Sequence, residues 1–244
     1  MSGHSKWNNI KRKKEKTDAQ KAKVFTKIGR EIAVAVKEGG VDPNSNSKLR
    51  ELIAKAKANN VPNDNIDRII KKAGSSDGKD YETIVYEGYG PSGIAVIVEC
   101  LSDNRNRTAA DMRHYFDKFG GNMGQSGCVS FLFSDSGIIL LENNGLDEDQ
   151  VMEDCVEAGA GDFEFQDEVV EIVTEPSELP AVRDALAAKY TILSAEVEKV
   201  PSTYVRLDDA ELAKKMQLML DHMEDNDDVQ QVWHNWENQD EFDF

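Results

Sequence analysis

No stretch of the 244 residues approaches the run of about 18 apolar side chains that a membrane-spanning helix needs. The opening Met1-Ser2-Gly3-His4-Ser5-Lys6-Trp7 leads into polar, basic residues without an apolar centre, so it does not read as a secretory signal. Glu15, Asp18 and the scarcity of Ser also set it apart from a mitochondrial transit peptide. Six Pro and 17 Gly are too few for a collagenous or low-complexity chain. The three cysteines, Cys100, Cys128 and Cys155, are odd in number and far apart among apolar neighbours. That pattern suits reduced, buried thiols in a cytoplasmic protein and excludes a disulfide frame or a cysteine zinc site.

Signs of catalysis are equally sparse. His4, His114, His222 and His234 form no pair at metal-ligand spacing, and no GxSxG, Walker A or GxGxxG pattern occurs. Gly120-Gly121-Asn122-Met123-Gly124 follows a predicted helix, whereas a phosphate-cradling loop precedes one, so it reads as a helix stop and turn. The expectation is a non-enzymatic protein with no catalytic residue, no metal site and no cofactor.

What the chain has in excess is acid, and it is unevenly placed. The formal net charge is −17, which by itself argues against a protein that lies along phosphates. Residues 1–80, however, hold 19 of the 29 Lys and Arg against 10 of the 46 Asp and Glu, a balance of +9, and the remainder balances at −26. One chain therefore joins a basic piece to a strongly acidic one.

Hydrophobic periodicity organises these pieces. After a basic arm of about 16 residues, Thr17 or Asp18 is placed to cap a helix whose stripe is Phe25, Ile28, Ile32 and Val36, ended by Gly39-Gly40. A second helix starts after Ser47 with Leu49, Leu52, Ile53 and Ala56, and a third, capped by Asn63, carries Ile66, Ile69 and Ile70 up to Gly74. Short β-branched runs then alternate with helices. Strands are predicted at 83–87, 94–101 and 129–133, with a helix at 108–119. Residues 137–200 read as a βαββαβ unit, the element order of a ferredoxin-like fold. A strand at 203–207, a helix at 209–223 and a strand at 229–236 follow, and the last residues are expected to fray.

The flanking ββαβ and βαβ pieces are each too small to close a core, so they are expected to pair around the middle unit. The boundaries are 1–78 for the arm and helical domain, 79–134 with 201–238 for a discontinuous domain, 135–200 for the insertion, and 239–244 for an acidic tail.

Two clusters are candidates for binding. The first is Lys6, Trp7, Lys11, Arg12, Lys13, Lys14, Lys16, Lys21, Lys23, Lys27 and Arg30, interrupted between Met1 and Arg30 only by Glu15 and Asp18. An indole within a dense cation cluster suits stacking on a base while the cations neutralise phosphates. The bland reading is a solubilising surface on which Trp7 simply packs. The second cluster is Asn104, Arg105, Asn106 and Arg107, at a strand-to-helix turn, with Arg113 and His114 one to two turns on. It is either an anion site at a helix N-terminus or an N-cap, at Asp103 or Thr108, whose arginines pair with local carboxylates.

Several of these motifs together resemble the YebC/PmpR family. They are Gly3-His4-Ser5-Lys6-Trp7 with Asn9-Ile10, Asp18 and Lys23 to Phe25, Tyr86-Glu87-Gly88-Tyr89-Gly90-Pro91, Asp103-Asn104-Arg105-Asn106-Arg107-Thr108 with Arg113-His114, Gly120-Gly121-Asn122, Gly127 with Val129-Ser130, Pro201-Ser202, and Asp227-Asp228-Val229-Gln230 to His234-Asn235. The resemblance runs nearly end to end. In the arm, Lys11-Arg12-Lys13 and Gln20-Lys21-Ala22-Lys23 stand where the family more usually has His-Arg-Lys and Lys-Arg-Gly-Lys, with the positive charge kept.

The resemblance implies a cytoplasmic α+β protein of three domains, an N-terminal three-helix domain followed by two ferredoxin-like α/β domains, one inserted in the other. It implies a non-enzymatic, DNA-binding transcriptional regulator acting on promoter DNA. Its alternative is a ribosome-associated translation factor that contacts rRNA or tRNA and relieves stalling at proline runs. Nucleic acid is the expected partner in both, with basic ribosomal proteins as natural neighbours of an acidic body, and no membrane.

Overall fold

The computed structural model describes residues 18–75 and 78–242, with side chains from residue 22 onward. The fold is α+β, with N-terminal helices followed by two antiparallel four-stranded sheets in ferredoxin-like arrangement. The described residues divide into two compact units, one of residues 18–129 together with 207–234, the other of 130–206 and 235–242.

The first unit opens with helices α1 (Asp18–Gly39), α2 (Ser47–Ala58) and α3 (Asn63–Ala73). Ile28, Ile32 and Val36 of α1 bury against Leu49, Leu52 and Ala56 of α2 and Ile66 of α3. One side chain joins the first two helices. Buried Asn46 donates to the carbonyls of Ala35 (2.7 Å) and Gly40 (2.9 Å) and accepts from the Leu49 N–H (3.0 Å), so it closes the end of α1 and caps α2. The α2 cap is thus Asn46, and α3 is preceded by Pro62, with Asn63 already helical and not its cap.

The sheet of this unit has the order β3-β1-β2-β8, formed by β1 (Glu82–Tyr89), β2 (Ala95–Ser102), β3 (Asn122–Met123) and β8 (Val229–His234). Helix α4 (Arg105–Lys118) follows β2, and α7 (Ala210–Asp225) precedes β8. Met112 and Phe116 of α4 and Met216, Met219 and Met223 of α7 are buried with Val96, Val98 and Cys100 of β2. Burial pushes the Cys100 thiol up to about 12, so it stays protonated.

The strand predicted at 129–133 does not form. Its first donor is taken by Glu87 of β1, a buried carboxylate that accepts from the N–H of Val129 (3.0 Å) and of the preceding Gly127 (2.8 Å), Ser130–Leu132 makes a 3₁₀ turn, and only Phe133 is extended, at the start of the next strand. Donors committed to a carboxylate cannot enter a ladder. The third strand of the sheet is instead the two-residue β3, whose Met123 and Asn122 pair with Gly88 and Tyr89.

The second unit contains β4 (Phe133–Glu142), α5 (Glu148–Ala158), β5 (Asp162–Phe165), β6 (Val169–Thr174), α6 (Leu179–Ala187) and β7 (Ile192–Pro201). Its sheet order β5-β6-β4-β7 is that of a ferredoxin-like βαββαβ motif, and all pairings are antiparallel. Ile139, Leu141, Val170 and Ile172 pack with Val151 and Cys155 of α5 and Val182 and Leu186 of α6.

Two further expectations are corrected in this unit. Residues 203–207 form no strand beyond a single parallel bridge, Val205 with Trp236, because only one short segment lies alongside them. The tail does not fray up to 242: Gln239–Glu241 makes a 3₁₀ turn, Glu241 pairs with Arg206, and Phe242 lies against Trp236 with ring centroids 6.0 Å apart.

Gly88 tests the three-way junction of β1, β3 and α4. A Cβ there would stand 2.5 Å from the Asn122 carbonyl oxygen and 2.9 Å from the Phe116 ring. Gly88→Ala is expected to cost about 1–3 kcal/mol, read as a lowered denaturation midpoint in urea at unchanged m-value.

Candidate nucleic-acid interface

The second predicted cluster begins where β2 passes into α4. Asn104 caps that helix through its side chain, which accepts from the Arg107 N–H at 3.1 Å. The cap is therefore Asn104, and neither Asp103 nor Thr108. Fixing the first turn aims Arg107 back toward the strand end, where it meets a carboxylate just ahead of the neighbouring strand β8, Asp228.

Asp228 is 3 % exposed and sits in the turn between α7 and β8. Arg107 reaches it through Nη2, 3.0 Å from Oδ1 and 2.7 Å from Oδ2, and through Nε, 3.2 Å from Oδ2. The hydroxyls of Ser102 and Thr108 lie 3.0 and 2.9 Å from Oδ2. Arg30 of α1 closes the site from the helical side, pairing with Oδ1 and donating to the Leu101 carbonyl at 3.0 Å, with its guanidinium 5.5 Å from the Tyr81 ring centre. Burial raises the Asp228 carboxyl, but hydrogen bonds from Arg107, Arg30, Thr108 and Ser102 outweigh it and hold the group down at about 2.

The neighbours extend the network. Asp103 pairs with Arg107 at 3.0 Å and with Lys79. Its carboxyl is held below the usual range by the hydrogen bonds from Lys79 and Arg107. Asn226 accepts from the Asp228 N–H at 2.9 Å and donates to Asp111 and to the Tyr115 hydroxyl. Three cations of α1 grip this same corner: Lys23 pairs with Asp225 at 2.7 Å, Lys27 donates to the Glu224 carbonyl at the end of α7 at 2.8 Å, and Arg30 meets Asp228. A cation on the last carbonyls of a helix also complements its dipole.

Lys23, Lys27 and Arg30 are thus engaged with the α7–β8 corner, and Arg30 is largely withdrawn from solvent, its side chain 14 % exposed. Arg107 binds two carboxylates of its own chain. The cluster's remaining members face outward: Arg105 stands 3.5 Å from Glu82, and Asn106, Arg113 and His114 are exposed along α4. Lys6, Trp7, Lys11, Arg12, Lys13, Lys14 and Lys16 lie outside the described residues, as does the side chain of Lys21.

Sequence reasoning did not find Asp228 as a member of the site. The usable signal was that Asp103–Thr108 and Asp227–Gln230 both belonged to the resemblance. The structure joins these two motifs in one ion-pair network.

Among the described residues no three His, Cys, Asp or Glu side chains are gathered to hold a metal, and no helix is long and apolar enough to cross a membrane. The chain matches the family model for the TACO1/YebC protein N-terminal domain over residues 5–76 and that for the TACO1/YebC second and third domain over 81–236. It is 55 % identical over 241 residues to a "Probable transcriptional regulatory protein" of Finegoldia magna, covering 98 % of this chain and all of that one. A protein of the same name from Ruminiclostridium cellulolyticum is 56 % identical over 244 residues, 99 % of this chain and 98 % of that one. The crystal structure of a conserved hypothetical protein from Aquifex aeolicus superposes with a TM-score of 0.82 at 43 % identity, covering 91 % of this chain and 92 % of that one.

Replacing Asp228 leaves two arginines facing each other without their anion. Asp228→Asn is expected to cost about 3 kcal/mol or more, measured by urea unfolding at pH 7. The folded-state carboxyl titrates below its ordinary 3.8. Its contribution is therefore fully present above about pH 4 and is lost as pH falls from there toward 2, on the order of 2 kcal/mol in all. Unfolding measured across that window should show the decline in the parent chain and a shallower one in Asp228→Asn.

Proposed function

The chain belongs to the TACO1/YebC family, and from that premise we propose that it is a non-enzymatic regulator of gene expression that binds nucleic acid, acting on promoter DNA as a transcriptional regulator. Its relatives carry the name of transcriptional regulatory proteins. The observation that carries the binding itself is charge segregation, +9 over residues 1–80 in a chain of net charge −17.

The corner around Asp228 sharpens which cations are available. Lys23, Lys27, Arg30 and Arg107 have partners within the chain. Phosphate contact is therefore assigned to Lys6, Lys11, Arg12, Lys13, Lys14, Lys16 and Lys21, with Trp7 stacking on a base. Arg105, Asn106, Arg113 and His114, exposed on α4, form a secondary contact.

A second reading, a translation factor on rRNA or tRNA, is favoured by one observation. Residues 130–206 with 235–243 hold 22 Asp and Glu against 4 Lys and Arg. A body so acidic is repelled by bare phosphates but suits a ribonucleoprotein rich in basic proteins.

Reversal of Lys11, Lys13 and Lys14 to Glu is expected to abolish gel-shift binding. In the parent chain, about six phosphate contacts give a log–log salt slope of roughly −4 to −5. Crosslinking in cells with sequencing of the bound nucleic acid separates the two readings. Promoter DNA at defined sites supports transcription, rRNA or tRNA supports translation, and unchanged binding by the triple variant removes the arm from both.

A further inference from the structure

Helix α5 leaves an apolar ridge uncovered. Met152 and Val156 stand one turn apart, 40 % and 68 % exposed, while Val151, Asp154 and Cys155 on the opposite side of the helix are buried. The helical period sets Glu148 on one flank of this ridge and Asp149 and Glu153 on the other. Among the described residues, none of these three carboxylates enters an ion pair. The cations that could neutralise them are committed elsewhere in the same unit: Arg183 to Asp184, Lys189 to Asp154, Lys199 to Asp135 and Arg206 to Glu241. Beside the ridge, a shallow cleft between α5 and α6 is lined by Asp154, Glu157, Ala158, Ala185, Leu186 and Lys189.

The charge around the ridge selects its occupant. Nucleic acid and a second copy of this unit would each bring negative charge against negative charge. A purely apolar partner would strip water from the flanking carboxylates without replacing it. An occupant carrying both cations and apolar side chains satisfies both parts of the surface.

We propose that the α5 face is a docking site for a Lys- and Arg-rich amphipathic segment of a protein partner. Its apolar side chains cover Met152 and Val156. Its cations meet Glu148, Asp149 and Glu153, and one long basic side chain lies along the cleft toward Glu157. The site shares no residue with the nucleic-acid arm.

The test is fluorescence anisotropy on the full chain with three labelled probes: an amphipathic Lys/Leu peptide of roughly four helical turns, an oligolysine of equal charge, and a DNA oligonucleotide. The Lys/Leu peptide is expected to bind more tightly than oligolysine. Met152→Ser with Val156→Ser should weaken the peptide about tenfold, a difference of about 1.4 kcal/mol, and Asp149→Gln with Glu153→Gln should weaken it similarly and flatten its salt dependence. Both double variants should leave oligonucleotide binding unchanged, so failure here is distinguishable from failure of the nucleic-acid reading. Equal affinity of the two peptides, or peptide binding indifferent to both variants, overturns the proposal in favour of diffuse charge attraction. Self-association in sedimentation that Met152→Ser with Val156→Ser abolishes overturns it in favour of a second copy.

Discussion

A carboxylate moved out of water carries a penalty of several kcal/mol unless its charge is met where it lies. Asp228 meets this condition through groups that come from three separate parts of the chain: Arg30 of α1, Ser102 at the end of β2, and Arg107 and Thr108 in the first turn of α4. The helical layer, the central strand, the first sheet-covering helix and the turn into the last strand are therefore held by one acceptor. The pairs with Lys23 and Asp103 are more exposed, and pairs of that kind contribute little individually. Their role is to orient the corner around the buried group.

That corner changes how the chain's positive charge is understood. Lysines and arginines counted along α1 look like one continuous phosphate-binding stripe, yet three of them, Lys23, Lys27 and Arg30, hold the helix against α7 and β8. The same division of labour appears in the unit of residues 130–206 and 235–243, where every one of its four cations serves an internal ion pair and the acid is left in excess. Cations that stabilise and cations that bind are different residues, and net charge alone does not separate them.

Much of the architecture was legible because it depends on local periodicity. The stripe Ile28, Ile32, Val36 lies on the buried side of α1, and the alternation of β-branched runs with helices over 137–200 is the ferredoxin-like motif. One misreading fell where a side chain competes with the backbone for hydrogen bonds, and others where a neighbouring or distant residue sets the local geometry. Val129 looks like a strand residue, but its N–H is bound by Glu87, 42 residues away. Asn63 looks like a cap, but Pro62 already turns the chain into α3. The tail looked frayed because Arg206, which holds Glu241, lies 35 residues away in sequence.

By itself, the sequence determined the helices, most of the strands, the ferredoxin-like order and the segregation of charge, because each follows from side-chain pattern within short windows. Only the tertiary structure decided which charges are spent. Arg30 lies 198 residues from Asp228 and Arg107 lies 121 from it. No local pattern records which distant carboxylate a guanidinium will face, since that choice is made by the packing of α1 and α4 around the sheet.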